Sequence, residues 1–128
     1  MGMKIFLGLS VLLWLPYGVY CVINPGYLAG VAGVTASTPT GTTEIRAMYG
    51  GLQAALGVMS AFALIRPAYS HVAATALCFA MSGLFLARFI GFMLDASGSD
   101  YTYGALVFEL SYAMIAGLMA RRSKVVEA

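Results

Sequence analysis

The chain has 128 residues, 61% of them hydrophobic and only 9% charged, with a formal net charge of +2. Soluble domains carry about 25% charged residues, so this composition leaves too little polar surface to cover a globule in water, and the bilayer is the expected solvent. Most of the few bases sit at termini and loops, and they form no stripe interleaved with aromatics, which argues against nucleic acid as a partner.

The first apolar run, 5–23, follows Lys4 and ends at Asn24-Pro25-Gly26. It is near the ~20 residues that a helix needs to cross a bilayer. Tyr20 stands where a signal-peptide cleavage site would need a small residue before Cys21, so the segment reads as a retained span. Pro16 removes a backbone hydrogen bond and predicts a bend, and Trp14 reads as lipid-facing filler. The loop 24–43 is rich in threonine, glycine and alanine, with Tyr27-Leu28-Ala29 placed at the interface. The second run, 45–65, is expected to be capped by Thr42 or Thr43, with Glu44 as a helix-terminal group in the first turn, where its charge suits the helix dipole. Arg66-Pro67 separates it from the third run, 72–94, and Ala96-Ser97-Gly98-Ser99 separates that from the fourth, 101–120. The fold class that follows is all-α, an integral membrane four-helix bundle forming a single transmembrane domain over 1–128, because open strands cannot satisfy their backbone groups in lipid.

Lys4, Arg66, Arg121, Arg122 and Lys124 fall on one side if there are four crossings, and the other side's loops carry no lysine or arginine. The positive-inside rule then places both termini in the cytoplasm. The halves differ in loop length and in charge position, so there is no inverted repeat to suggest a transporter of that design.

The informative residues are the few polar ones inside the spans. On an uninterrupted helix Arg46, Tyr49, Gln53, Gly57 and Ser60 share one face, while Glu44 points elsewhere. Arg88 and Asp95 are seven apart in the third run with Gly91 beside them. In the fourth, Thr102, Ala105, Glu109, Tyr112, Ala113 and Ala116 form one stripe, and in the first Ser10, Tyr17, Tyr20 and Asn24 recur at the same period. Arg88 lies ~10 Å below the outer end of its helix and Glu109 ~12 Å below the start of the next, so the two can pair. Arg46 is shallower and within reach of Asp95 or of outer-loop carbonyls. The expected polar layer is therefore Arg46, Tyr49, Gln53, Arg88, Asp95, Glu109 and Tyr112, either holding helices in register or lining a cavity.

Small residues recur in Gly83, Ala87 and Gly91, in Gly50 with Ala54, and in Gly57 with Ala61, which permits close approach within the bundle or between copies. Cys21 and Cys78 lack the spacing of a metal or redox motif and read as buried apolar residues. His71, the single histidine, reads as a solvated or interfacial side chain at the cytoplasmic boundary. No nucleophile, base and acid stand in a recognisable arrangement, so no catalytic residues, metal or cofactor are expected.

Three segments carry a resemblance: Glu44-Ile-Arg-Ala-Met-Tyr-Gly-Gly-Leu-Gln53, Arg88-Phe-Ile-Gly91 followed by Asp95, and Glu109-Leu-Ser-Tyr-Ala113. Together they resemble a family of small bacterial four-helix membrane proteins known as domain-of-unknown-function family 4345. The resemblance implies a bundle in a bacterial inner membrane and directs attention to Glu44, Arg46, Tyr49, Gln53, Arg88, Asp95 and Glu109. It implies no activity. A more distant likeness to DoxX-like four-helix proteins is one of architecture only. The expected role is a non-catalytic accessory or interaction component, with membrane lipids, a second copy or a larger membrane complex as partners. The alternative is a binding or transport protein whose outer-half cavity admits a lipid, a quinone-like molecule or a proton.

Overall fold

The computed structural model describes residues 1–122; Lys124, one of the bases used to orient the chain, lies outside them. Among the described residues the structure is helical: α1 Gly2–Ile23, α2 Tyr27–Ala32, α3 Pro39–Ile45, a π-helical turn Arg46–Gly51 continuing into α4 Leu52–Ile65, then α5 Ser70–Asp95 and α6 Asp100–Arg122. Four helices are long and apolar enough to cross a membrane: Gly2–Ile23, Pro39–Ile65, Pro67–Asp95 and Asp100–Arg122. The fold is all-α and the protein is a membrane protein. The helices form two compact units, one running to Pro67 and the other starting at Ala68.

In the first unit α1 and α4 run antiparallel, with glycines at the closest points. A methyl group on Gly57 would stand 2.5 Å from Leu15 N and 2.8 Å from Leu15 Cα. One on Gly18 would overlap Ala54 N, and one on Gly50 would overlap Val22. Glycine is required at these three places because backbone meets backbone. By contrast, nothing lies within 4 Å of a methyl group built on Gly83. The small-residue stripe 83–87–91 is thus not a close-packed seam at its first position, and Ala87 is exposed.

The buried face of α1 is Phe6, Leu7, Ser10, Trp14, Gly18 and Cys21. Trp14 is 6% exposed, which corrects its reading as lipid-facing filler. Tyr20 is outward and meets Tyr27 of α2 edge-on at 5.1 Å, while Leu28 beside it is fully buried and anchors the six-residue α2. Gly33 ends α2 at φ +68°, a left-handed conformation that glycine adopts without strain.

The second membrane helix starts earlier than its apolar run. Thr38 is the N-cap, its Oγ1 accepting from Gly41 N at 3.1 Å, and Pro39 follows in the first turn. The Thr-Pro pair supplies both the cap and a preset φ, so neither Thr42 nor Thr43 caps the helix. Glu44 consequently lies well inside it and is not a first-turn group, contrary to the expectation from the apolar boundary.

The second unit is the antiparallel hairpin α5–α6. Its turn is tight: Gly98 N donates to Ala96 O at 3.0 Å, and Ala96 closes α5 in the left-handed region at φ 48°. Ser99 opens α6, accepting from Thr102 N at 3.2 Å. Phe92 meets Tyr103 edge-on at 5.7 Å beside this turn. At the other end His71 Nδ1 lies 3.1 Å from Ala120 O; since the carbonyl can only accept, Nδ1 donates. His71 is therefore a half-buried clasp between the start of α5 and the end of α6 rather than a solvated side chain. Both cysteines are free.

Large apolar side chains cover the outside of both units, including Leu12, Ile65, Phe79 and Leu94, each more than 70% exposed. In water this surface would drive aggregation, whereas in lipid it is the ordinary outer face of a span.

Candidate functional site

The polar residues expected in one layer divide between the two units. In the first unit the π-helical turn governs their placement. Leu52 N–H donates to Ala47 O, five residues back, so the segment absorbs one residue more than an α-helix would. The Gly50-Gly51 pair makes this local loosening cheap, because glycine contributes little to α-helical stability.

The consequence is visible in the burial pattern. Downstream, Gln53, Gly57, Ser60 and Ala63 are buried at steps of four, three and three. Upstream, the buried residues are Gly50 and Ile45, a step of five. On an unbroken α-helix the face of Gln53 would continue to Tyr49 and Arg46. The extra residue rotates the upstream part by about 100°, so Ile45 occupies the place expected for Arg46. Arg46 is exposed, Tyr49 is half-buried and Glu44 is exposed.

Arg46 has a specific task. Its Nη1 donates to Val22 O, one of the last carbonyls of α1, which lack an intrahelical donor. A cation at a helix C-terminus also meets the negative end of the dipole. Arg46 therefore ties the π turn to the end of α1 and makes no ion pair among the described residues. Gln53 lies about two helical turns further along. It is 9% exposed, and its Oε1 is buried without a hydrogen-bond partner.

The second unit holds the ion pair. Arg88 Nε lies 3.0 Å from both Oε1 and Oε2 of Glu109, and Nη2 lies 2.8 Å from Oε1. The guanidinium thus presents its Nε edge to the carboxylate in a forked arrangement, the strongest geometry available to such a pair. Glu109 is 5% exposed and Arg88 28%. The Arg88 Cζ also stands 5.6 Å from the Tyr101 ring centroid, a cation–π contact from the first turn of α6. Thr102, Glu109, Ala113, Ala116 and Ala120 make the buried stripe of α6, with Tyr112 half-buried beside it.

Asp95 does not join this cluster. It is the exposed last residue of α5, at the end of the helix that disfavours a negative charge, and it pairs with no described residue. No group of three or more histidine, cysteine or acidic residues among the described residues could hold a metal ion.

The family model described as domain of unknown function DUF4345 matches residues 2–120, and the chain belongs to that family. No curated protein and no solved structure matches the chain.

Proposed function

We propose that this family member is a non-catalytic integral membrane protein, an accessory or interaction component of a bacterial inner membrane, with both termini cytoplasmic and its buried charges serving to hold helices in register. The observation that supports this reading is the Arg88–Glu109 fork, in which each charge has the other as its partner. Arg46, spent on the Val22 carbonyl, points the same way. Within the first unit Lys4 and Arg66 lie at the same end of the α1–α4 pair, as the positive-inside rule requires of a cytoplasmic face.

A charge-reversal variant tests the role of the pair. In Arg88→Glu/Glu109→Arg a structural fork is re-formed with its ends exchanged, so the chain should still migrate on native gels in the same assembly, larger than a monomer. A folded swap variant that loses the assembly, or a wild-type chain that is monomeric across several mild detergents, would count against the accessory role.

One observation favours a second reading, a binding or transport protein. The orphan Gln53 Oε1 would be completed by a donor from a lipid, a reduced quinone-like molecule or a protonated carrier. Gln53→Leu separates the two. If the acceptor serves a ligand, a molecule that co-purifies with wild type in native mass spectrometry should vanish from the variant while folding is kept. If no molecule co-purifies with wild type, this reading fails.

A further inference from the structure

The hairpin α5–α6 carries a groove of about 430 Å³ between its two helices, with Ala113 and Met114 also in its lining. Cys78 and Ser82 of α5 form one wall, and Leu110, Gly117 and Leu118 of α6 form the other. The groove exists because small residues face each other: a methyl group on Gly117 would come within 3.3 Å of Cys78 Sγ. Leu110 and Leu118, both nearly half exposed, stand beside this hollow and leave it open sideways.

Arg121 ends the groove. It is exposed and has no hydrogen bond or ion pair among the described residues, and exposed Arg122 follows it. From Leu110 to Arg121 the helix rises about 16 Å, roughly half of the ~30 Å hydrocarbon core. A small-walled channel one leaflet deep, closed at the headgroup level by a cation, has the shape and charge of a phospholipid.

We propose that this groove holds one acyl chain of an anionic phospholipid of the surrounding bilayer, with its phosphate on Arg121. A second copy of the chain fits less well. Inserted in the same direction, it would bring its own Arg121 and Arg122 to that level. Among the described residues of this unit the acidic ones do not answer them: Asp95 and Asp100 flank the turn at the opposite end, and Glu109 is engaged by Arg88. Lipid phosphate is the complementary group that the membrane supplies at that depth. The inference does not depend on the accessory role.

The test uses the whole chain reconstituted in vesicles of equimolar phosphatidylcholine and phosphatidylglycerol, then released into mild detergent for native mass spectrometry. Wild type should retain one phosphatidylglycerol in preference to phosphatidylcholine. Arg121→Gln should reduce that preference about fivefold, the equivalent of ~1 kcal/mol for one basic residue at an anionic surface. Ser82→Leu, which fills the groove without touching charge, should reduce retention of both lipids. Helical circular dichroism confirms that each variant is folded. Equal retention of the two lipids by wild type, an unchanged preference in Arg121→Gln, or a dimer that dissociates in Ser82→Leu would each overturn the proposal.

Discussion

Removing Arg88 alone should destabilise the protein more than removing both ends of the Arg88–Glu109 fork. Breaking a buried pair from one side costs about 3–5 kcal/mol when the remaining charge has no other partner. The two ends are not equivalent here, because Glu109 is 5% exposed and Arg88 28%. Arg88→Met strands the more deeply buried carboxylate and should lose about 3 kcal/mol. Glu109→Gln leaves an amide oxygen that still accepts one bond, and a guanidinium that can lean toward the interface, so about 1–2 kcal/mol is expected. The double variant Arg88→Met/Glu109→Gln leaves no stranded charge and should also lose only about 1–2 kcal/mol, a coupling of roughly 2–3 kcal/mol. Arg88→Lys keeps the charge and loses the fork, at about 1 kcal/mol. Denaturant titrations in mild detergent, followed by helical circular dichroism, give the four values. Losses that add to within about 0.5 kcal/mol would refute the reasoning and assign each group a different main partner.

Other parts of the molecule are open to equally direct tests. A periplasm-only reporter fused to the C-terminus should be inactive and a cytoplasmic reporter active; the opposite result would reverse the proposed orientation. Gly57→Ala should lower stability by about 1–3 kcal/mol, because its methyl meets the Leu15 backbone, whereas Gly83→Ala, in open space, should be neutral or stabilising by up to about 1 kcal/mol; equal effects would mean that the α1–α4 approach is looser than described. Ala96→Gly should stabilise by about 1 kcal/mol, since it relieves the left-handed backbone at φ 48°; a loss measured in the same titration would show that the residue's methyl group matters more than its conformation.

The four spans were legible because ~20 apolar residues between turn signals have few other meanings. Arg88 and Glu109 could be matched in advance because a short turn joins two unbroken α-helices, so depth follows from counting. The same counting fails for Arg46. It assumes 3.6 residues per turn across Gly50-Gly51, where the backbone takes a wider turn, and nothing in hydrophobic periodicity marks that departure. Trp14 was misjudged for a different reason: lipid and protein interior are equally apolar, so an aromatic residue in a span carries no label for its side. The true start of the second membrane helix was written in Thr38-Pro39, but an apolar boundary search stops at Ile45, six residues after Pro39. The His71 clasp had no local signal, since its partner is a backbone carbonyl 49 residues away.

The π-helical turn leaves a trace that mutagenesis can read without any structure. A helix that has absorbed one extra residue is indexed by two different counts, one above the turn and one below. Substitutions along 39–65 should therefore show two stripes of intolerance, out of phase by about 100° and meeting at Gly50-Gly51. Deleting one residue between 47 and 51 would remove the wide turn, place both stripes on one count and leave Ile45, seven residues from Gln53, on its face, with Arg46 still directed away. Tolerance of that deletion would show that the direction in which Ile45 points matters more than the wide turn itself.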